Sequence, residues 1–188
     1  MYNKKNNGFT LIEMLVVIAI ISILTGAILL NLHSTQAKAT DATRKIDMRQ
    51  IKTALELYYF DHGSTYPSTM VGDVRTWRGL SANANPDGTI TTSGDNAYIP
   101  GIGAYLAELP VDPRNIKTDW SGYLYMSDGI DYKLLCHEYG PESFPSADQP
   151  LYDPVRTTSP NRAWMICSGE DPCCATNPTC STCACSTW

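Results

Sequence analysis

The stretch GFTLIEMLVVIAIISILTGAILLNL, residues 8–32, decides the fold of this chain. From residue 9 onward it is apolar except at Thr10, Glu13, Ser22, Thr25, Gly26 and Asn31. A helix rises about 1.5 Å per residue, so 9–32 would reach roughly 36 Å, more than the roughly 30 Å of a bilayer's hydrocarbon core. The stretch therefore predicts a membrane-spanning helix over 9–32.

A secretory signal peptide is the main alternative, because Lys4 and Lys5 precede the apolar run. The run is long for a signal peptide, however, and no small-residue cleavage site breaks it. Glu13 also argues for a retained helix, since a carboxylate at mid-membrane costs about 2.5–3.5 kcal/mol and usually has a partner. Cleavage after Gly8 would create such a partner, the α-amino group of Phe9, which in an assembly could pair with Glu13 of a neighbour.

The run Gly8-Phe-Thr-Leu-Ile-Glu13 after a short basic leader resembles the type IV pilin and type II secretion pseudopilin superfamily. The resemblance implies that a prepilin peptidase cuts between Gly8 and Phe9 and methylates the new amine of Phe9. It also implies that Glu13 aligns the incoming subunit in a homo-oligomeric filament. A plain single-pass anchor is the alternative.

The same resemblance implies a location and partners. The chain would enter the bacterial inner membrane with its N-terminus in the cytoplasm, meet the assembly platform and other pilins there, and end in a periplasmic or cell-surface filament. The basic residues Lys38, Arg44, Lys45, Arg49 and Lys52 conflict with this topology, because the positive-inside rule would keep their side cytoplasmic. We favour the family's topology, since the cysteine-rich tail requires an oxidising compartment.

The helical pattern continues through 33–62, where no Pro or Gly interrupts the chain before Gly63. One helix of about fifty residues is predicted, membrane-spanning in its first half and amphipathic in its second, with His62-Gly63 as its end. An apolar stripe is predicted on one face of the second half, away from the basic residues: Ala39, Ala42, Ile46, Ile51, Leu55, Tyr58 and Tyr59.

Residues 63–168 are predicted to form a globular head. Turn-forming residues over 64–103 indicate a long exposed connection. An Asp-Gly turn between Gly122–Met126 and Asp131–His137 predicts a hairpin, and Ala163–Cys167 a third strand. The fold class is α+β, a long N-terminal helix packed on a small antiparallel sheet, pilin-like. The run Leu109-Pro-Val-Asp-Pro113 before the aromatic strands resembles the major pseudopilin subgroup.

Seven cysteines in this chain favour disulfides over zinc, and five lie in the tail, 169–188. Cys136 and Cys167 would be within reach of each other if their strands are neighbours. An odd number leaves at least one thiol free or bonded to another chain. The disulfide candidates are Cys136, Cys167, Cys173, Cys174, Cys180, Cys183 and Cys185.

Calcium is left open as a cofactor, because the resembling family holds one in a loop of its terminal sheet. The oxygen ligands that could serve are Asp112, Asp119, Asp128 and Asp131. A tight turn explains Asp128 without a metal. The chain also departs from the family after Tyr139, so neither a metal nor its ligands are assigned.

Composition and motifs exclude several functions. The net charge of −5 argues against nucleic-acid binding. No nucleophile elbow, zinc-protease motif or phosphate loop is present, and Cys136 and His137 point to opposite faces of a strand, so the chain is not expected to be an enzyme. A structural filament subunit supporting protein secretion is the leading interpretation. A membrane-anchored or pilus-tip binding module is the alternative. A metal-binding or redox protein is the third hypothesis.

Overall fold

The computed structural model describes residues 9–72, 74–137, 151–153, 156 and 163–168, without the side chains of 27–34 and 75. The chain divides into two compact units, Met1–Lys38 and Ala39–Trp188. In the described part of the chain, no helix is both long and apolar enough to cross a membrane. The membrane span over 9–32 stays a prediction from the sequence.

Helix α1 runs from Leu11 to Asp61 and has 51 residues, which confirms the predicted single helix of about fifty. Its end is a left-handed turn at Gly63 and Ser64, with φ of 65° and 63°. The Ser64 amide donates to the carbonyl of Tyr59 at 3.0 Å and so satisfies one of the last carbonyls of the helix. Glycine adopts this φ without steric cost, which is why the helix ends where His62-Gly63 predicts.

The described strands form two antiparallel sheets. Strands β1 (Met70–Val71) and β2 (Val74–Arg75) make a separate small hairpin. Strands β3 (Arg78–Gly79), β4 (Gly122–Ser127), β5 (Tyr132–His137) and β6 (Ala163–Cys167) form a four-stranded sheet in chain order. The predicted hairpin and the third strand at Ala163–Cys167 are therefore confirmed.

The second half of α1 packs on one face of the four-stranded sheet. Met48, Ile51 and Leu55 of the helix are fully buried and share a core with tyrosines of β4 and β5 and with Trp164 of β6. The opposite face carries a smaller cluster that includes Leu124, Leu135 and Met165, with Trp77 packed against it. The helix and the sheet therefore enclose the main core, as the α+β prediction requires.

The predicted apolar stripe on α1 proves to be two stripes on opposite faces. The buried face repeats every three or four residues through Asp41, Arg44, Met48, Ile51 and Leu55. Ala39, Ala42 and Ile46, which the sequence analysis placed with this face, are exposed instead. Arg44, predicted to lie away from the apolar face, is fully buried. Apolar character alone could not separate the stripes, because both faces carry apolar residues.

The connection 64–103 is less exposed than its composition predicts. Tyr66, Ala97, Tyr98 and Ile99 are buried in the main core, and β1, β2, β3 and a 3-10 helix at Ile102–Ala104 begin within or just after this stretch. Turn residues predict where the backbone reverses, and they do not predict which intervening side chains reach the core. The prediction of a long exposed connection was therefore wrong for these residues.

Candidate functional site

The first turn of α1 is held by a capping box made by Thr10 and Glu13. The Glu13 carboxylate accepts hydrogen bonds from the Thr10 backbone amide at 2.8 Å and from the Thr10 hydroxyl at 2.7 Å. The Glu13 amide donates back to the Thr10 hydroxyl at 3.3 Å. This reciprocal Thr-x-x-Glu arrangement satisfies amides at the start of the helix, where a negative charge also meets the positive end of the helix dipole. Glu13 therefore has an intramolecular role that the sequence analysis missed, although the Thr-x-x-Glu spacing signals it.

An exposed apolar surface follows the capping box. The large apolar side chains from Phe9 to Leu24 are 45% to 83% exposed, unlike the fully buried Leu55 of the same helix. The hydroxyls in this surface are satisfied locally, since Ser22 donates to the carbonyl of Ile18 and Thr25 to that of Ile21, each at 2.7 Å. A partner can therefore cover this surface without burying an unsatisfied hydroxyl of these residues.

A buried ion cluster fixes the Leu109-Pro-Val-Asp-Pro113 segment to α1. The Arg44 guanidinium donates to both oxygens of Asp112, at 2.7 and 3.1 Å, and to Asp41 at 3.0 Å. Burial alone lowers the pKa of Arg44, but the hydrogen bonds and charge of Asp112 outweigh it, so the pKa is raised and the guanidinium stays charged. A bidentate pair of this kind fixes orientation as well as distance.

Two further polar groups surround this ion cluster. The Tyr123 hydroxyl on β4 donates to Asp47 of α1 at 2.7 Å. Burial raises the pKa of Asp47, and it raises the pKa of the Cys136 thiol well above its usual value, with the charge of Asp112 adding to the effect. Cys136 is therefore a protonated, unreactive thiol. The cluster therefore stabilises the packing of the head on α1 and is not a reactive centre.

The expectation that Cys136 and Cys167 lie within reach of each other is corrected by the strand register. Strands β5 and β6 are neighbours, but Cys136 pairs with Trp164 and Cys167 with Lys133. Cys136 faces the main core, while Cys167 packs on the cluster of the opposite sheet face. Cys136 makes no disulfide within the described residues. Cys173, Cys174, Cys180, Cys183 and Cys185 lie outside the described residues, as does Gly8.

Three of the four calcium-ligand candidates accept hydrogen bonds from protein groups, and the fourth is exposed. Asp112 is occupied by Arg44, and Asp128 accepts from the amides of Ile130 and Asp131, each at 2.9 Å, as a tight turn explains. Asp131 accepts from the Ser168 hydroxyl at 2.8 Å, and Asp119 is exposed. Across the described ranges, no three His, Cys, Asp or Glu residues lie close enough to hold a metal ion.

Cys136 and His137 point to opposite faces of β5, as expected. Cys136 joins the main core, whereas the His137 ring contacts the carbonyl of Trp120 through Nδ1 at 3.1 Å. Burial, with a contribution from the charge of Arg156, lowers the pKa of His137 to about 4. A nucleophile and its base must be within hydrogen-bonding distance, so this pair is not a catalytic dyad.

A long helix that begins at a Gly-Phe-Thr-Leu-Ile-Glu motif and packs by its second half on an antiparallel sheet defines the pilin-like class. Residues 3–29 match the family model of the prokaryotic N-terminal methylation motif. No solved structure is significantly similar to the chain.

Curated relatives define the family more closely. The chain is 30% identical over 148 residues to the type II secretion system core protein G of Dickeya chrysanthemi, covering 79% of this chain and 86% of the relative. It is 32% identical over 130 residues to that of Pseudomonas aeruginosa, covering 69% and 79%. The chain belongs to this family, and it is therefore a pseudopilin, a structural subunit for protein secretion. Both the resemblance and the non-enzymatic assignment are confirmed by these relatives.

Proposed function

We propose that a prepilin peptidase cuts this pseudopilin between Gly8 and Phe9 and methylates the Phe9 amine. The segment 9–32 then anchors the chain in the bacterial inner membrane, with the N-terminus in the cytoplasm. At an inner-membrane platform the chain leaves the bilayer and stacks with its own copies and other pseudopilins into a periplasmic or cell-surface filament that supports secretion. The observation that carries this proposal is the exposed apolar surface from Phe9 to Leu24 on a chain whose head has its own core.

The free energy of burying apolar side chains favours keeping that surface out of water, both in the membrane and in the filament. Fully burying one large apolar side chain contributes about 1.5–3 kcal/mol relative to leaving it in water. Lipid supplies that cover first, and neighbouring helices supply it in the filament. The exchange is nearly neutral for the apolar residues, so a polar interaction can decide where an arriving subunit stops.

Glu13 supplies that polar interaction. Its carboxylate is held at the start of α1 by Thr10, close in the sequence to the amine that cleavage at Phe9 would create. A carboxylate accepts several hydrogen bonds, so a neighbour's methylated amine can be added to those from Thr10. The resulting pair stabilises one stagger between adjacent helices and leaves other staggers with a desolvated, uncompensated charge.

Three variants test this role. Glu13→Ala removes both the charge and the cap, whereas Glu13→Gln removes the charge and keeps a residue that suits a capping box. Ser22→Ala is the matched control, because its hydroxyl is satisfied within its own helix. All three should insert into membranes, but only Ser22→Ala should yield sheared filaments at the wild-type level. Normal filaments from Glu13→Gln would contradict charge pairing and would leave the cap as the whole role of Glu13.

A further inference from the structure

The face of the four-stranded sheet opposite the main core buries an ion pair between Lys133 and Asp153. Lys133 lies in β5, two residues before Leu135, and therefore shares the face on which Leu135 packs. Both side chains are completely buried, with exposed fractions of 0%, and the Lys133 Nζ lies 3.6 Å from the Asp153 Oδ2. Lysine is almost never buried to this extent unless it is closely paired. Filament assembly does not explain why the head buries this pair.

The hydrogen bonds of this ion pair are incomplete. A hydrogen bond from nitrogen to oxygen spans about 2.7–3.2 Å, and within the part of the chain that the structure describes, the Lys133 ammonium donates none. The buried Arg44 of the same head, by contrast, donates to both oxygens of Asp112, at 2.7 and 3.1 Å. Burial of two charges is compensated only where their hydrogen bonds are also made. A reaction that removes both charges of the Lys133–Asp153 pair would therefore relieve this cost.

The sheet holds the two side chains against each other. The backbone of Lys133 is paired with both neighbouring strands, β4 and β6. The segment that carries Asp153 lies along the other edge of β6, where the Met165 amide donates to the carbonyl of Leu151 at 3.0 Å. Two groups held in contact in this way react as one molecule, without the entropy cost of an encounter. The fold therefore supplies the proximity that a reaction between the two side chains needs.

Arg156 completes the arrangement around Asp153. Its guanidinium lies 3.3 Å from the same Oδ2 that faces Lys133, and its backbone amide donates to Oδ1, also at 3.3 Å. Both carboxylate oxygens therefore have a donor, and the guanidinium can stabilise negative charge that develops on Oδ2. The Arg156 side chain is 12% exposed and lies 5.9 Å from the centre of the Trp77 ring. Its charge therefore keeps other favourable contacts when Asp153 loses its own.

From this geometry we propose that the Lys133 amine and the Asp153 carboxyl group condense to an amide, which cross-links β5 to the segment 151–153. The Lys133 ammonium gives one proton to Oδ1, and the resulting amine attacks Cγ. A C–N bond forms, the bond from Cγ to Oδ1 breaks, and Oδ1 leaves as water with that proton and a second one from the nitrogen. Oδ2 remains as the amide oxygen, held by Arg156. An ammonium and a carboxylate thus give an amide and water, and no oxidant, reductant or activating group is consumed.

The buried site favours a condensation that bulk water opposes. In water both ions are hydrated and water is abundant, whereas in the head the ions have lost their hydration and the amide carries no charge that burial penalises. The bond would also close residues 133–153 into a covalent ring, which restricts the unfolded chain. It concerns the head alone and is independent of the proposed filament assembly.

Peptide mapping of the wild-type protein tests the proposal. The full-length chain is purified from membranes, denatured, reduced, alkylated and digested with trypsin. Within 118–156 trypsin can cut only after Lys133, and it does not cut after a lysine whose amine is acylated. The expected product is one peptide, 118–156, lighter than the linear sequence by one water, with fragment ions that join Lys133 to Asp153. Separate peptides 118–133 and 134–156 of unmodified mass would overturn the proposal.

Three variants locate the bond. Lys133→Arg keeps a cation but removes the amine, and Asp153→Ala removes the carboxyl group, so both should lack the water loss. Lys52→Arg is the matched control, because Lys52 is exposed, and it should keep the cross-link. Water loss that persists in Lys133→Arg or in Asp153→Ala would place the bond elsewhere and overturn the proposal. The wild-type peptide map decides the question even where a variant fails to fold.

Discussion

The two halves of α1 use the same secondary structure for opposite purposes. Residues 11–24 expose nearly every large apolar side chain, and their one carboxylate, Glu13, is satisfied by Thr10. Residues 41–55 bury their apolar face and also a full ion pair, Arg44 with Asp112. The second half is stabilised by its own head, whereas in the proposed function the first half is covered by lipid or by other chains. Under that proposal, separating the two tasks lets assembly proceed without weakening the head.

Asp112→Ala should cause the largest loss of stability, because among the described residues it leaves the buried Arg44 with Asp41 as its one remaining carboxylate partner. Removing one member of a buried pair costs about 3–5 kcal/mol of unfolding free energy. Urea unfolding of the full-length chain in detergent measures this change in the free energy of unfolding. As a control, Arg44→Met combined with Asp112→Leu replaces the pair by apolar groups and should retain most of the stability. Equal losses of stability in the single and double variants would show that the unpaired charge of Arg44 is not the cause of the loss.

Leu55→Ala and Leu15→Ala compare the two halves directly. Leu55 is fully buried, so its truncation should lower head stability by about 2–5 kcal/mol. Leu15 is 55% exposed, and its truncation should change monomer stability by less than about 0.5 kcal/mol while lowering filament yield. Unfolding in detergent and yields of sheared filaments provide the two readings. A similar loss of monomer stability in both variants would remove the contrast between the halves.

The stability of the head should depend on pH through the titration of His137. Its pKa is about 4 in the folded chain and near 6.5 when unfolded, so the unfolded state takes up the proton first on acidification. Stability should therefore be complete above about pH 6.5 and fall by up to about 3 kcal/mol as the pH drops to about 4. Unfolding titrations of wild type and His137→Gln isolate this group. The same pH slope in both proteins would exclude His137 as its source.

Thr10→Ala should have the smallest effect, confined to the start of α1. Loss of a side-chain cap costs about 0.5–2 kcal/mol, and here it also removes a hydroxyl that holds Glu13. Hydrogen exchange of the first-turn amides should accelerate, while exchange in the sheet stays unchanged. Thr10→Ser keeps the hydroxyl and should behave like the wild type. Slow first-turn exchange in Thr10→Ala would show that the cap does not hold this end.

Local patterns predicted the fold well, because helices and strands follow from neighbouring residues. The end of α1 just before Gly63 and the strand Ala163–Cys167 needed only local periodicity and turn residues. The burial of Arg44 could not be read in this way, since its partner Asp112 lies 68 residues away in the chain. The relation between Cys136 and Cys167 also depended on a register that strand prediction does not supply.

In the candidate site, too, local sequence predicted some features and tertiary contacts decided the others. The Gly8 to Glu13 motif identified the family, but the charge of Glu13 did not indicate its second role, in the capping box with Thr10. The two stripes of α1 were merged, because spacing alone does not tell which apolar face a head will cover. Only tertiary packing separated the buried Leu55 from the exposed Ile46.

The most direct test of the account is the intact mass of the protein recovered from filaments under non-reducing conditions. The account predicts a chain that begins at methylated Phe9, with a mass deficit that counts the disulfides formed. A filament subunit that retains residues 1–8, or one that begins at an unmodified Phe9, would contradict the proposed processing. A retained leader would also leave Glu13 without the amine that the account assigns to it.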